Sequence, residues 1–251
     1  MKFKKLLITL ILTFQIYAEP PKNILFVGNS YLYYNNSVHN YVEFMLREFY
    51  GTEVETKLSA IGGSRLHHHN IDHLLEPNNL NLDQQIDLLI MQGGSTEVIT
   101  KKDQDKFIKT AKEFSAKAQA KEVKTALYMT HAFTKADRRF EPNLIKKIAK
   151  TYFEAGERSD SIVIPVGLAY EIAYKERPSI KLHHIDGTHP SPLGTYLGAA
   201  TVFASITGKS PQGLVFDYYG TINEKDRIFL QEVAWKAYGT WQRRVKLRKN
   251  D

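Results

Sequence analysis

The chain has 251 residues, 43% of them hydrophobic, with 34 basic against 27 acidic side chains for a formal charge of +7, and it has no cysteine. Such a length is enough for one globular domain with its own core, while the missing cysteines exclude disulfides, thiolate metal sites and cysteine catalysis. Three of the excess lysines lie in residues 1–18, leaving +4 beyond them, and much of the remainder sits in Arg243-Arg244-Val245-Lys246-Leu247-Arg248-Lys249; this reads as a solvated basic helix end, not the aromatic-interleaved stripe of a nucleic-acid interface.

The chain opens with Lys2, Lys4 and Lys5, an apolar stretch over 6–14, and Ile16-Tyr17-Ala18. That is the layout of a secretory signal peptide. Its apolar core is shorter than the roughly 20 residues a spanning helix needs. Residues 1–18 are therefore expected to be cleaved, leaving 19–251 as one mature domain. That domain is expected to be secreted or periplasmic, without stable membrane insertion.

Apolar runs of strand length follow at 24–27, 54–60, 86–91, 123–130 and 161–166. Between and after them lie segments of helical period at 38–49, 102–120, 142–158, 193–207 and 224–245. In the first of these, Val38, Tyr41, Val42, Met45, Leu46 and Phe49 share one face, and Ser37 is placed as its N-cap. Residues 76–83 and 135–143 read as polar loops, and no repeat or linker interrupts the pattern. Near-continuous apolar strands alternating with helices predict an α/β fold, its central, mostly parallel five-stranded sheet covered on both faces. Ligands of such sheets bind beyond the carboxyl ends of the strands. That rule draws attention to Ser30, Gly62, Gln92 and His131.

Gly28-Asn29-Ser30 ends the first strand. Gly28 permits a tight turn that exposes the Ser30 hydroxyl and backbone N–H, as a nucleophile requires. Ala60-Ile61-Gly62-Gly63-Ser64 ends the second strand, and Gln92-Gly93-Gly94-Ser95 follows the third. One N–H from Ser30, one from Gly62 or Gly63, and the Gln92 amide are candidates to converge on one oxyanion. Asp186-Gly187-Thr188-His189-Pro190 supplies a base and, three residues before it, an acid able to fold back and fix its tautomer. Asn29, Tyr31 and His69 join the candidate binding residues. Tyr31, Tyr33 and Tyr34 are read either as packing or as an aromatic rim for a sugar; Arg65 could meet an anionic substrate group but is read as an exposed side chain without so specific a role. His69 and His73 are one helical turn apart, a spacing known in zinc sites. No glutamate lies between them as in the zincin helix, so His69 is read as a pocket or loop residue and no metal is expected.

Taken together, Gly28-Asn29-Ser30, Gly62-Gly63, Gln92-Gly93-Gly94-Ser95 and Asp186-x-x-His189 resemble, in order and spacing, the SGNH (GDSL-like) hydrolase superfamily. The first block is similar to a branch with Gly-Asn-Ser-aromatic in place of Gly-Asp-Ser. The resemblance covers the mature chain. It implies a flavodoxin-like three-layer α/β/α domain and ester hydrolysis without a metal or other cofactor. It further implies Ser30 as nucleophile, His189 as base, Asp186 as its orienting acid, and the Ser30 and Gly63 (or Gly62) amides as oxyanion donors. The third superfamily block, Gly-x-Asn-Asp, is Gly94-Ser95-Thr96-Glu97 here. Thr96 thus stands where the donor asparagine belongs, and Gln92 is expected to replace it. The function expected is an exported serine esterase removing small acyl groups, such as acetyl, from a carbohydrate. The alternatives are a lipid esterase or thioesterase, an acyltransferase, or a non-catalytic carbohydrate-binding domain.

Overall fold

The computed structural model describes residues 21–249. The expected signal peptide, 1–18, lies outside the described residues. Five strands form one sheet: β1 (Asn23–Gly28), β2 (Glu55–Ala60), β3 (Leu88–Gln92), β4 (Lys124–Tyr128) and β5 (Ile162–Ile164). Their order is β2-β1-β3-β4-β5, and every pairing is parallel. The chain leaves β1 toward one edge to make β2, then crosses back to add β3 on the other side. The end of β1 is therefore the topological switch point, where such sheets open a crevice for ligands.

Eight helices accompany the strands among the described residues: α1 (Ser30–Tyr33), α2 (Val38–Tyr50), α3 (Ile71–Leu74), α4 (Lys101–Gln119), α5 (Leu144–Ser159), α6 (Val166–Glu176), α7 (Pro192–Thr207) and α8 (Glu224–Lys249). Side chains alternate across a strand, so Ile24 and Phe26 face one core while Leu25 and Val27 face the other. The first core is completed by α2, α6, α7 and α8, the second by α4 and α5. This is the three-layer α/β/α arrangement. None of the described helices is long and apolar enough to cross a membrane.

The expected elements occur within a few residues of their predicted ends, with three differences. The fifth strand stops at Ile164, because Pro165 has no N–H to continue the ladder and instead opens α6, a half-buried helix the sequence pattern did not reveal. Ser37 does precede α2, but at φ 68 its hydroxyl makes no cap and reaches back to the Tyr33 carbonyl. Phe49, expected inward, is 43% exposed and packs edge-on against Phe203.

Candidate active site

Ser30 is not in a loop ahead of α2. It is the first residue of α1, one turn immediately after β1. Asn29 builds that corner. Its side-chain oxygen accepts from the Tyr31 N–H (3.1 Å), its amide donates to the Ser64 carbonyl (3.0 Å), and its backbone N–H donates to Gln92 Oε1 (3.0 Å). Gly28 is required by close approach: a Cβ there would lie 2.5 Å from Gln92 Oε1.

His189 arrives from the loop before α7. An antiparallel bridge between His183 and Pro190 closes this loop, with Gly187 at φ 73 inside it. Asp186 Oδ1 accepts the backbone N–H groups of Thr188 (2.9 Å) and His189 (3.0 Å), and Oδ2 accepts His189 Nδ1–H at 2.6 Å. On the far side of the ring, His189 Nε2 accepts the Ser30 hydroxyl at 2.9 Å. An ionised carboxylate can only accept, so it fixes the proton on Nδ1 and leaves Nε2 able to take one from Ser30. Burial works against the charge of Asp186, but the His189 ring and the two backbone N–H groups outweigh it and hold the carboxyl at about 2, below the usual 3.8.

At the end of β2, Ser64 N–H closes on the Ile61 carbonyl (3.1 Å) in a turn whose third residue, Gly63, has φ 68. The backbone N–H groups of Ser30, Gly62 and Gly63 have no acceptor among the described residues. The turn is held from below. Ser64 Oγ donates to the Gly28 carbonyl (3.2 Å) and takes His69 Nε2–H (3.2 Å). His69 is thus a buried support of the glycine turn, and burial lowers its pKa. The exposed His73 takes the Asn79 amide instead (3.1 Å), so the two histidines serve different neighbours.

No protein-family model matches the chain, and no curated protein is similar to it in sequence. Solved structures are similar in fold. A DUF4886 family protein from Bacteroides uniformis superposes with a TM-score of 0.66 at 18% identity, covering 86% of this chain and 93% of its own. A protein assigned to the SGNH hydrolases, from Slackia heliotrinireducens, gives 0.60 at 21% identity over 74% of this chain and 98% of its own. The chain has the SGNH-hydrolase fold. An acetyl xylan esterase is similar at a TM-score of 0.56 and 20% identity, over 73% of this chain and 99% of its own.

Within this SGNH fold, two expectations are corrected. Gln92 is only 1% exposed, its Oε1 holding Asn29 and its amide donating to the Gly93 carbonyl. It braces the corner that carries Ser30 and is turned inward rather than toward the Ser30 hydroxyl's open side. Thr96, half-buried just beyond β3 with no side-chain partner among the described residues, remains as the third candidate donor. Tyr31 is no rim residue: it is 3% exposed, its phenol bonds Thr188 Oγ1 at 2.6 Å, and burial raises that phenol to about 12. Arg65 pairs with Asp103 near the start of α4.

Other supports were only partly visible in the sequence. His131 is sandwiched between Tyr31 (ring centroids 4.4 Å, 15°) and Tyr170 (4.4 Å, 6°), and its Nε2–H donates to the Thr188 carbonyl at 2.7 Å. It thereby carries the loop that presents His189. Glu97, also buried, accepts the N–H groups of Leu66 (3.0 Å) and Gly94 (2.5 Å) and ties the glycine turn to the end of β3. The strand-end position of His131 was a signal; its two stacking partners come from distant segments.

These buried imidazoles have a consequence for stability. Burial, reinforced by His183, keeps His131 well below 6.5, and burial lowers His183 to about 4. Both stay neutral in the fold while the unfolded chain takes up protons near 6.5, so stability is full above that value and is lost as pH falls below it. Urea midpoints are expected to drop between pH 7 and pH 5. His131→Phe should be less stable at pH 7, having left the Thr188 carbonyl unpaired, but show a shallower drop. An unchanged slope would count against this assignment.

Proposed function

We propose that the protein is a serine carboxylic-ester hydrolase whose nucleophile is Ser30, base His189 and orienting acid Asp186. One observation carries this reading: a continuous chain from Ser30 Oγ to His189 Nε2 (2.9 Å) and from His189 Nδ1 to Asp186 Oδ2 (2.6 Å) at the switch point of the sheet. Ser30 Oγ attacks the ester carbonyl carbon as His189 Nε2 takes its proton. The oxyanion is received by the N–H groups of Ser30 and of Gly62 or Gly63, with the Thr96 hydroxyl as third donor. Collapse transfers the proton from His189 to the leaving alcohol and leaves an acyl-Ser30. Water then gives a proton to His189 as it attacks the acyl carbon, and the second collapse breaks the acyl–Oγ bond, releases the acid and returns the proton from His189 Nε2 to Ser30 Oγ.

The substrate we propose is a small acyl ester, such as an acetyl group on a carbohydrate, met outside the cytoplasm after export directed by residues 1–18. Tyr33, 41% exposed beside Gly62, is the aromatic surface available for a sugar ring, and an acetyl xylan esterase shares the fold. A second reading, a lipid esterase, is favoured by Ile61 (47% exposed), Phe140 (38%) and Ile185 (89%), which lie on the loops around the site. A fluorophosphonate probe should label the mature chain at Ser30. p-Nitrophenyl acetate should be turned over faster than octanoate. Labelling at another residue overturns the nucleophile, and preference for octanoate overturns the acetyl reading in favour of the lipid one.

A further inference from the structure

Between the nucleophile and the base lies a segment that neither role explains. Tyr34 follows α1 directly, and its ring lies flat against the His189 imidazole, with centroids 4.1 Å apart and planes within 6°. Tyr33 stacks behind it at 5.8 Å, and Tyr31 meets His189 edge-on at 5.9 Å. After Tyr34 the backbone runs through three consecutive left-handed non-glycine residues, Asn35 (φ 52), Asn36 (φ 65) and Ser37 (φ 68). Asparagine tolerates this region, but serine is held there at a cost, and such strain persists only where surrounding contacts enforce it. The contacts are present. Asn35 Nδ2 donates to the Pro190 carbonyl (2.8 Å) and to Thr195 Oγ1 (2.9 Å), binding the segment to the residue after His189 and to the first turn of α7.

We propose that Tyr34 is a positioning residue for His189, fixing the tilt of the imidazole and stabilising it while it carries the proton of Ser30. This rests on the Ser30–His189 reading above. The bonds to Asp186 and Ser30 hold the two ring nitrogens, but they leave rotation about the line joining them weakly restrained. A parallel ring at 4.1 Å removes that freedom. When Ser30 attacks, the imidazole becomes a cation facing the π surface of Tyr34, inside the roughly 6 Å range over which such a face attracts positive charge. The attraction exists only once the proton has moved, so it acts on the transition state more than on the bound substrate. Asn35 anchors the arrangement.

The test is kinetic and spectroscopic. Tyr34→Leu and Tyr34→Phe are assayed on p-nitrophenyl acetate, with active sites counted by fluorophosphonate titration so that misfolded protein is excluded. Tyr34→Leu should lower kcat per titrated site by roughly 3- to 30-fold, with KM little changed. Tyr34→Phe, which keeps the ring and loses only the hydroxyl, should restore it. In histidine-labelled protein, the His189 ring protons, assigned by comparison with His189→Ala, should lie upfield in wild type and Tyr34→Phe and move downfield in Tyr34→Leu. Equal kcat per site in wild type and Tyr34→Leu would overturn the proposal, as would failure of Tyr34→Phe to restore it. Absence of any Ser30-dependent turnover in wild type would instead overturn the esterase reading.

Discussion

Ser30→Ala is expected to lower kcat on a p-nitrophenyl ester by about 10⁴–10⁶-fold, and His189→Ala by a similar factor. A serine hydroxyl is a poor nucleophile until a base withdraws its proton, and His189 Nε2 is the acceptor at 2.9 Å. The two residues act as one unit, so the double variant should be no worse than either single one. Rates and melting temperatures of the three variants check this. Ser30 Oγ has no other side-chain partner among the described residues, so Ser30→Ala should melt close to wild type. A Ser30→Ala enzyme keeping a tenth of its activity, or single losses that multiply in the double variant, would remove Ser30 and His189 from the mechanism.

Asp186→Asn should cost about 10³–10⁴-fold in kcat, and the geometry says why. Asp186 Oδ1 already accepts two backbone N–H groups, from Thr188 and His189. An asparagine must keep its carbonyl oxygen on those donors, which turns its NH₂ toward His189 Nδ1. That nitrogen must then accept, the ring proton moves to Nε2, and the ring can no longer take the proton of Ser30. The loop keeps its backbone bonds, so the variant should stay folded. Kinetics on Asp186→Asn beside its circular dichroism make the measurement, and near-normal turnover in a folded Asp186→Asn would show that the carboxylate does not set the tautomer.

Much of this site was legible because it depends on short-range relations. The order of strand ends placed Ser30, Gly62-Gly63 and Gln92 on one edge of the sheet, since parallel strands all present the same end. The Asp186–His189 contact follows from a three-residue spacing within one turn. Gln92 shows where such reasoning stops. Its position at the end of β3 was right, but a side chain there has two faces to choose between, and the buried Asn29 N–H took it. The same holds for Tyr31, whose neighbours His131 and Thr188 come from the ends of other segments. Helix α6 was missed because the apolar run was read as one strand through Val166, across the Pro165 at which the helix begins.

By itself the sequence determined that Ser30 closes a central strand, that glycines mark a second strand end, and that an acid and a histidine share one turn near the other end of the chain. Those are properties of pattern and spacing, which local physics reads directly. Only the tertiary structure decided that Ser30 and His189, 159 residues apart, meet at 2.9 Å. It alone assigned Gln92 and His69 to support, and Tyr34 to the face of the His189 ring. Those outcomes turn on which way each side chain points in a packed interior, and that is settled by partners far away along the chain.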